Sequence, residues 1–126
     1  MTMNKKEVLK TGADAAPVEP YSMAVRKENM VFISGQVAME GDKVVHGTAQ
    51  EETELVMKSL KAILEANGMD MEDIVKCGVY FVNEEDFAGI NEVYQKYFKV
   101  PPARIATQVV RLYDDVKVEI DAIAVT

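Results

Sequence analysis

The sequence predicts one domain in which two helices cover one face of a sheet, and three observations lead there. The chain has 126 residues, a single-domain length that can bury roughly two-thirds of the surface its unfolded form exposes. Its β-rich and helical runs follow the order β-β-β-α-β-α-β-β, with no repeat, low-complexity tract or Gly/Ser-rich linker between them, so residues 1–126 read as one unit. Two helices can cover only one face of such a sheet, yet Ile74 to Val82 and Ile120 to Val125 are apolar at both alternating sets of positions. The other face needs a partner, and a homo-oligomer is expected.

The elements follow in order. Thr11 to Pro20 is the loosest stretch. From Met23 to Val37 two runs rich in Val, Ile and Phe flank Lys27, Glu28 and Asn29, which predicts a hairpin with Met30 to Gln36 as its second arm. Gly41 and Asp42 turn the chain into a short strand at Lys43 to Val45. Thr48, Ala49, Gln50 and Glu51 form a capping-box pattern, in which the Thr hydroxyl and the Glu carboxylate each satisfy an orphaned amide. A helix from Ala49 to about Asn67 follows, with Val56, Met57, Leu60, Ile63 and Leu64 at helical spacing and Gly68 placed for a left-handed cap. Ile74 to Val82 is a strand. Glu84, Glu85 and Asp86 suit the positive end of a second helix, which buries Phe87, Ile90, Tyr94 and Phe98 before Pro101 and Pro102 stop it. Arg104 to Leu112 reads as a strand, Tyr113 to Asp115 as a turn, and Val116 to Val125 as the last strand.

Composition narrows the function. Hydrophobic residues make up 48% and charged residues 28% of the chain, too apolar for disorder, and no stretch approaches a membrane span. One cysteine, Cys77, closes no intrachain disulfide, and one histidine, His46, supplies no paired imidazoles to a metal. A formal charge of −7 offers phosphate backbones no general attraction, so nucleic acid is not an expected partner. Lys5 and Lys6 are followed by Thr11, Gly12 and Asp14 rather than by a signal-peptide core, and a cytoplasmic protein is expected.

Nucleophilic chemistry finds little support. Cys77 alternates with Val75, Val79 and Phe81 on a strand and reads as a core thiol. His46 sits at a strand-to-helix turn without an orienting carboxylate nearby in sequence, and reads as an exposed or turn-stabilising side chain. Asp70, Glu72 and Asp73 lack the central Gly and terminal Glu of a calcium loop and read as a solvated connection.

Other residues carry more. Arg104, following Pro101, Pro102 and Ala103 at the start of a strand, places a guanidinium at a sheet end where it can hold a small carboxylate through two parallel hydrogen bonds. Glu119, embedded in the most apolar strand, is either an acid whose pKa desolvation raises toward general acid or base work, or a solvent-facing strand residue. Asn91 shares the helical stripe of Phe87, Ile90 and Tyr94, so its buried amide must find partners, structural or functional. Tyr21 follows Pro20 in a long loop, and Ser34 precedes Gly35, where a missing side chain allows close backbone approach to a ligand; both also fit turn chemistry.

Pro20-Tyr21-Ser22, Ile33-Ser34-Gly35-Gln36, Ile90-Asn91 with Tyr97-Phe98, Pro102-Ala103-Arg104, and Val118-Glu119-Ile120 with Ala122-Ile123-Ala124, in this order over nearly the whole chain, resemble the RidA (YjgF) family of reactive-intermediate deaminases. The resemblance implies a chorismate-mutase-like α+β fold, a mixed sheet packed on two helices, with the other face in the core of a homotrimer and three clefts between neighbouring subunits. It implies hydrolysis of short 2-imino acids, such as 2-iminobutyrate and 2-iminopropionate, to 2-oxo acids and ammonia, without cofactor or metal. By correspondence Arg104 binds the substrate carboxylate, Glu119 positions or activates the attacking water, and Tyr21, Ser34, Gly35 and Asn91 shape the cleft.

Departures from the family pattern bear on which imine fits. Glu19 and Met23 stand where the best-known deaminases have Gly and Gln, and Ala106 replaces a cysteine found in many relatives, leaving its backbone amide as that position's contribution. The connection Lys99 to Pro101 is shorter than in many relatives. The alternative reading is a non-catalytic trimer that binds 2-oxo acids as a regulator of branched-chain amino-acid metabolism. A ribonuclease or translation-inhibitor reading, also attached to this family, is opposed by the charge of −7 and the absence of a basic stripe.

Overall fold

The computed structural model describes residues 5–9 and 20–126, so the loose stretch before Pro20, Glu19 included, lies outside the described residues. The strands are β1 (Glu7–Val8), β2 (Ala24–Lys27), β3 (Met30–Gln36), β4 (Met39–Glu40), β5 (Lys43–Val44), β6 (Ile74–Phe81), β7 (Ala103–Gln108) and β8 (Val118–Val125); the helices are α1 (Ala49–Ala66) and α2 (Phe87–Tyr94). Six strands form a mixed sheet in the order β1-β2-β3-β8-β6-β7, and β4 and β5 form a small hairpin of their own. Both helices lie on one face, giving the expected α+β arrangement.

Local chemistry accounts for most boundaries. The β2–β3 hairpin closes with Lys27 opposite Met30. Thr48 Oγ1 accepts from Glu51 N at 3.1 Å and Glu51 Oε1 accepts from Thr48 N at 2.9 Å, the expected capping box. Asn67 caps α1 at its other end, and Gly68 turns the chain at φ +73°. The strands β1 and β4 escape a sequence reading because two charged or mixed residues show no alternation.

Three expectations are corrected by tertiary contacts. α2 ends at Tyr94, and Phe98 is buried only after a 3-10 turn at Gln95–Tyr97, while Phe87 is half-buried. β7 stops at Gln108, short of Leu112, because its partner β6 stops at Phe81; Val109 N donates to Phe81 O at 2.8 Å and Val110 is then 97% exposed. β8 begins at Val118 rather than Val116, because Lys117 N donates to Glu52 instead of a strand.

Glu52 deserves its burial only because it is fully used. No part of it is exposed, and its carboxylate accepts from Lys117 N at 2.8 Å and Gly47 N at 3.2 Å, with Lys117 Nζ at 3.5 Å. It thereby ties the start of α1 to the start of β8. Glu52→Ala strands two backbone donors, and the expected loss is about 3 kcal/mol of unfolding free energy, read by urea denaturation at fixed chain concentration. Glu52→Gln, which keeps one acceptor, is expected to lose less.

The core sits between sheet and helices. Val118, Ile120, Ala122 and Ala124 of β8 meet Val56, Met57, Leu60, Ile63 and Leu64 of α1, with Val31, Ile33, Cys77 and Val79 alongside. On the opposite face Phe32, Val75 and Ile105 are 38%, 48% and 55% exposed, so apolar surface is left uncovered within one chain. Val75 is there by a bulge: the β6–β8 register shifts between Ile74 and Lys76, which turns Val75 away from the Cys77, Val79 and Phe81 face assigned to it by alternation. No helix among the described residues is long and apolar enough to cross a membrane.

Topology then places the candidate site. β7 runs parallel to β6 after the α2 crossover, with Arg104 opposite Cys77, and β8 runs antiparallel on the other side of β6, with Glu119 opposite Tyr80.

Candidate active site

Arg104 is presented by the edge strand β7 to the side of α2. Its guanidinium carbon lies 4.9 Å from the centre of the Tyr94 ring and 5.6 Å from that of Phe87, and Nη1 donates to Asn91 Oδ1 at 2.7 Å. Phe87 is itself backed by Phe81, ring centres 4.6 Å apart. Two ring faces and a neutral amide orient a cation without cancelling its charge. Among the described residues no carboxylate lies within ion-pair distance of Arg104. Its remaining donors can chemically accommodate an external anion.

The aromatic part of this clamp is what sequence reasoning missed. Phe87 and Tyr94 read as core, and the only hint in the sequence is that Phe87, Asn91 and Tyr94 recur at spacings of four and three along one helical face. Asn91, expected to be buried, is half-buried, and its partner is Arg104. Ala106, two residues after Arg104, packs half-buried against the core. Beneath them Cys77 is fully buried, and burial pushes its thiol up to about 11, so it remains a protonated core group at neutral pH. The Tyr94 hydroxyl beside it is also pushed up, chiefly by burial.

Glu119 lies on the other face of the sheet. It is half-buried, and its side chain crosses the backbone of Gly35 so closely that a Cβ there would overlap the carboxylate. Gly35 sits in a β3 bulge, where the register with β8 shifts between Ile33 and Gln36. The missing side chain thus makes room for Glu119 of the same chain. Burial pushes the Glu119 carboxyl above the ordinary carboxylate range, and the negative charge of Asp121 adds to the effect. Ser34 Oγ donates to Ser22 O at 2.7 Å, pinning the segment that carries Tyr21, whose side chain is 58% exposed.

The candidate residues of one chain therefore fall into two groups. Arg104, Asn91 and Ala106 belong to the helix side of β7, and Glu119 with Ser34 and Gly35 to the open face. From the strand registers, Arg104 and Glu119 stand two strands apart and three residues along, about 14 Å between Cα atoms at ordinary sheet spacing.

The other candidates take structural places. His46 Nε2 lies 2.7 Å from Asp114 O and 3.5 Å from Asp114 Oδ2, so its carboxylate partner comes from far along the chain and the pair fastens an exposed turn. Asp70 caps the 3-10 turn Met71–Asp73, and Glu72 accepts from Lys99 N at 2.9 Å and Val100 N at 3.2 Å. The acids read as a solvated connection are thus backbone caps, one of them holding the approach to Pro101.

Comparison with known proteins agrees with this frame. A family model described as Endoribonuclease L-PSP matches residues 11–126. A RutC family protein of Pyrococcus horikoshii is 43% identical over 122 residues, covering 94% of this chain and 97% of the relative. The 2-iminobutanoate/2-iminopropanoate deaminase of Mus musculus is 39% identical, covering 95% and 91% of the two chains. A crystal structure of E. coli TdcF with bound serine superposes with a TM-score of 0.86 at 36% identity, over 95% of this chain and 98% of that one. With its fold, its dispersed motifs and relatives aligned nearly end to end all in agreement, the chain belongs to the RidA/YjgF family.

Proposed function

We propose that this protein hydrolyses short 2-imino acids, such as 2-iminobutyrate and 2-iminopropionate, and their enamine tautomers, to 2-oxo acids and ammonia, in a cleft between copies of the chain in a homotrimer. The observation that carries this reading is Arg104: a cation oriented by Tyr94, Phe87 and Asn91 with no acidic partner among the described residues suits a carboxylate ligand. A relative named as a 2-imino acid deaminase and a related structure with bound serine, itself a carboxylate with nitrogen on the next carbon, fit the same ligand class.

The chemistry asks for little beyond placement. With the carboxylate on Arg104, the imine carbon is already electrophilic. Glu119 of a neighbouring copy takes a proton as water attacks the carbon of the protonated imine and returns it to the amine nitrogen as the C–N bond breaks; the departing ammonia takes the hydroxyl proton as the carbonyl forms and leaves as ammonium. A carboxyl held above its ordinary range is a better base for the first step than an exposed one. The neighbouring copy enters because Arg104 and Glu119 face opposite sides of one sheet, and because the apolar open face needs cover.

The test generates 2-iminobutyrate in situ with threonine dehydratase and follows its decay to 2-oxobutyrate, beside a mass measurement in solution. Acceleration at micromolar protein and a trimer mass are expected. A monomer, or no acceleration, would defeat the reading; binding of 2-oxobutyrate without turnover would place the chain with ligand-binding regulators.

A further inference from the structure

β8 carries a second carboxylate that this mechanism leaves unused. Asp121 lies two residues after Glu119 and on the same face of the sheet. It is anchored rather than free: Gly78 N donates to its Oδ1 at 2.8 Å, and the Tyr80 hydroxyl hydrogen-bonds it. Gly78 has no side chain, and a Cβ there would overlap both the Asp121 carboxylate and the Tyr80 hydroxyl. The two acids of β8 thus rest on glycines of its two flanking strands, Glu119 on Gly35 of β3 and Asp121 on Gly78 of β6.

The charged and titratable groups facing this pair are few. β6 presents Tyr80 opposite Glu119, and Lys76, which shares with Asp121 and Tyr80 a depression of about 320 Å³. Lys76 makes no ion pair there among the described residues. β3 presents Ser34 and Gly35, which do not titrate, and both helices lie behind the sheet. Among the described residues Asp121 makes no ion pair.

We propose that Asp121 is a positioning residue for proton transfer: a fixed negative charge, anchored on Gly78 and Tyr80, that holds the Glu119 carboxyl against Gly35 and strengthens it as a base. The proposal rests on the reading of Glu119 as the group that takes the proton from water. The directions of titration agree with the geometry. Burial and then Asp121 raise Glu119, and the Asp121 charge is the largest influence raising Tyr80, which therefore keeps its proton and donates it to Asp121.

The experiment is a carbon-13-detected titration of the Glu119 side chain in the full chain, run beside the pH profile of 2-iminobutyrate hydrolysis. In Asp121→Asn the amide oxygen still accepts from Gly78, so the anchor stays and the charge goes. Ionised Glu119 then costs less, and both its midpoint and the acid limb of kcat/KM are expected to shift to lower pH, with KM changing less than about threefold. Asp121→Glu keeps the charge and is expected to stay near the parent. A Glu119 titration unmoved in Asp121→Asn overturns the proposal, and so does an equal shift in both variants, which would report lost packing rather than lost charge. A parent without hydrolytic activity whose Glu119 still shifts in Asp121→Asn removes the hydrolase reading and leaves the control of Glu119 by Asp121 standing.

Discussion

Arg104→Ala is expected to lower kcat/KM for 2-iminobutyrate hydrolysis by about 10²–10⁴-fold, from the loss of two charge-assisted hydrogen bonds to the substrate carboxylate at about 1.5–3 kcal/mol each. The carboxylate is the same group in substrate and transition state, so most of the loss should appear in KM rather than kcat. Since no carboxylate of the described residues pairs with Arg104, its removal leaves no orphaned charge behind, and a native melting temperature should accompany the kinetic defect. Arg104→Lys tests the geometry. A lysine supplies the charge but not the planar fork, and its shorter reach to the Tyr94 and Phe87 rings weakens the clamp, so recovery should be partial. An Arg104→Ala protein as active as the parent would remove this residue from the site.

Glu119→Gln is expected to lower kcat by about 10²–10⁴-fold with KM nearly unchanged, because proton transfer develops only in the transition state. Stability separates this from misfolding. The folded chain holds the Glu119 proton more tightly than the unfolded chain does, since burial and Asp121 raise the carboxyl. Stability contributed by this group is therefore highest below its unfolded pKa and falls as pH rises toward the raised value. Removing the ionisable group takes away that cost, so Glu119→Gln should be no less stable than the parent at pH 7. A variant that loses activity and stability together at pH 7 would contradict the assignment.

The two variants also test each other. Arg104 and Glu119 face opposite sides of one sheet, and the proposed cleft draws them from different copies. Oligomers reassembled from Arg104→Ala and Glu119→Gln chains would contain clefts in which one copy supplies an intact Arg104 and its neighbour an intact Glu119. Mixing two nearly inactive proteins should restore a fraction of the parent rate; no recovery on confirmed subunit exchange would place both residues in one chain's cleft.

Where the chemistry is local, the sequence announces it. Thr48 and Glu51 form their capping box from residues three apart, Gly68 turns the chain at positive φ because it lacks a Cβ, and Met30 to Gln36 is a strand to the residue. Where partners come from afar, it does not. The end of β7 depends on where β6 stops, and the start of β8 on a carboxylate of α1, 65 positions away in sequence. The Val75 bulge breaks an alternation that the residues themselves display faithfully.

The candidate site divides the same way. The chemistry of Arg104 and Glu119, a fixed guanidinium after a proline pair and an acid in an apolar strand, is written in residue type and neighbour, as are one domain, one uncovered sheet face and the dispersed motifs of the family. That Phe87 and Tyr94 grip Arg104, that Gly35 makes room for the Glu119 side chain, and that Asp121 shares a face with Glu119 beside Tyr80 were settled by strand order and register. The physical reason is range: capping, turns and periodic burial act within about one turn or pleat, whereas a site's charge and orientation come from groups that meet only when distant strands pair.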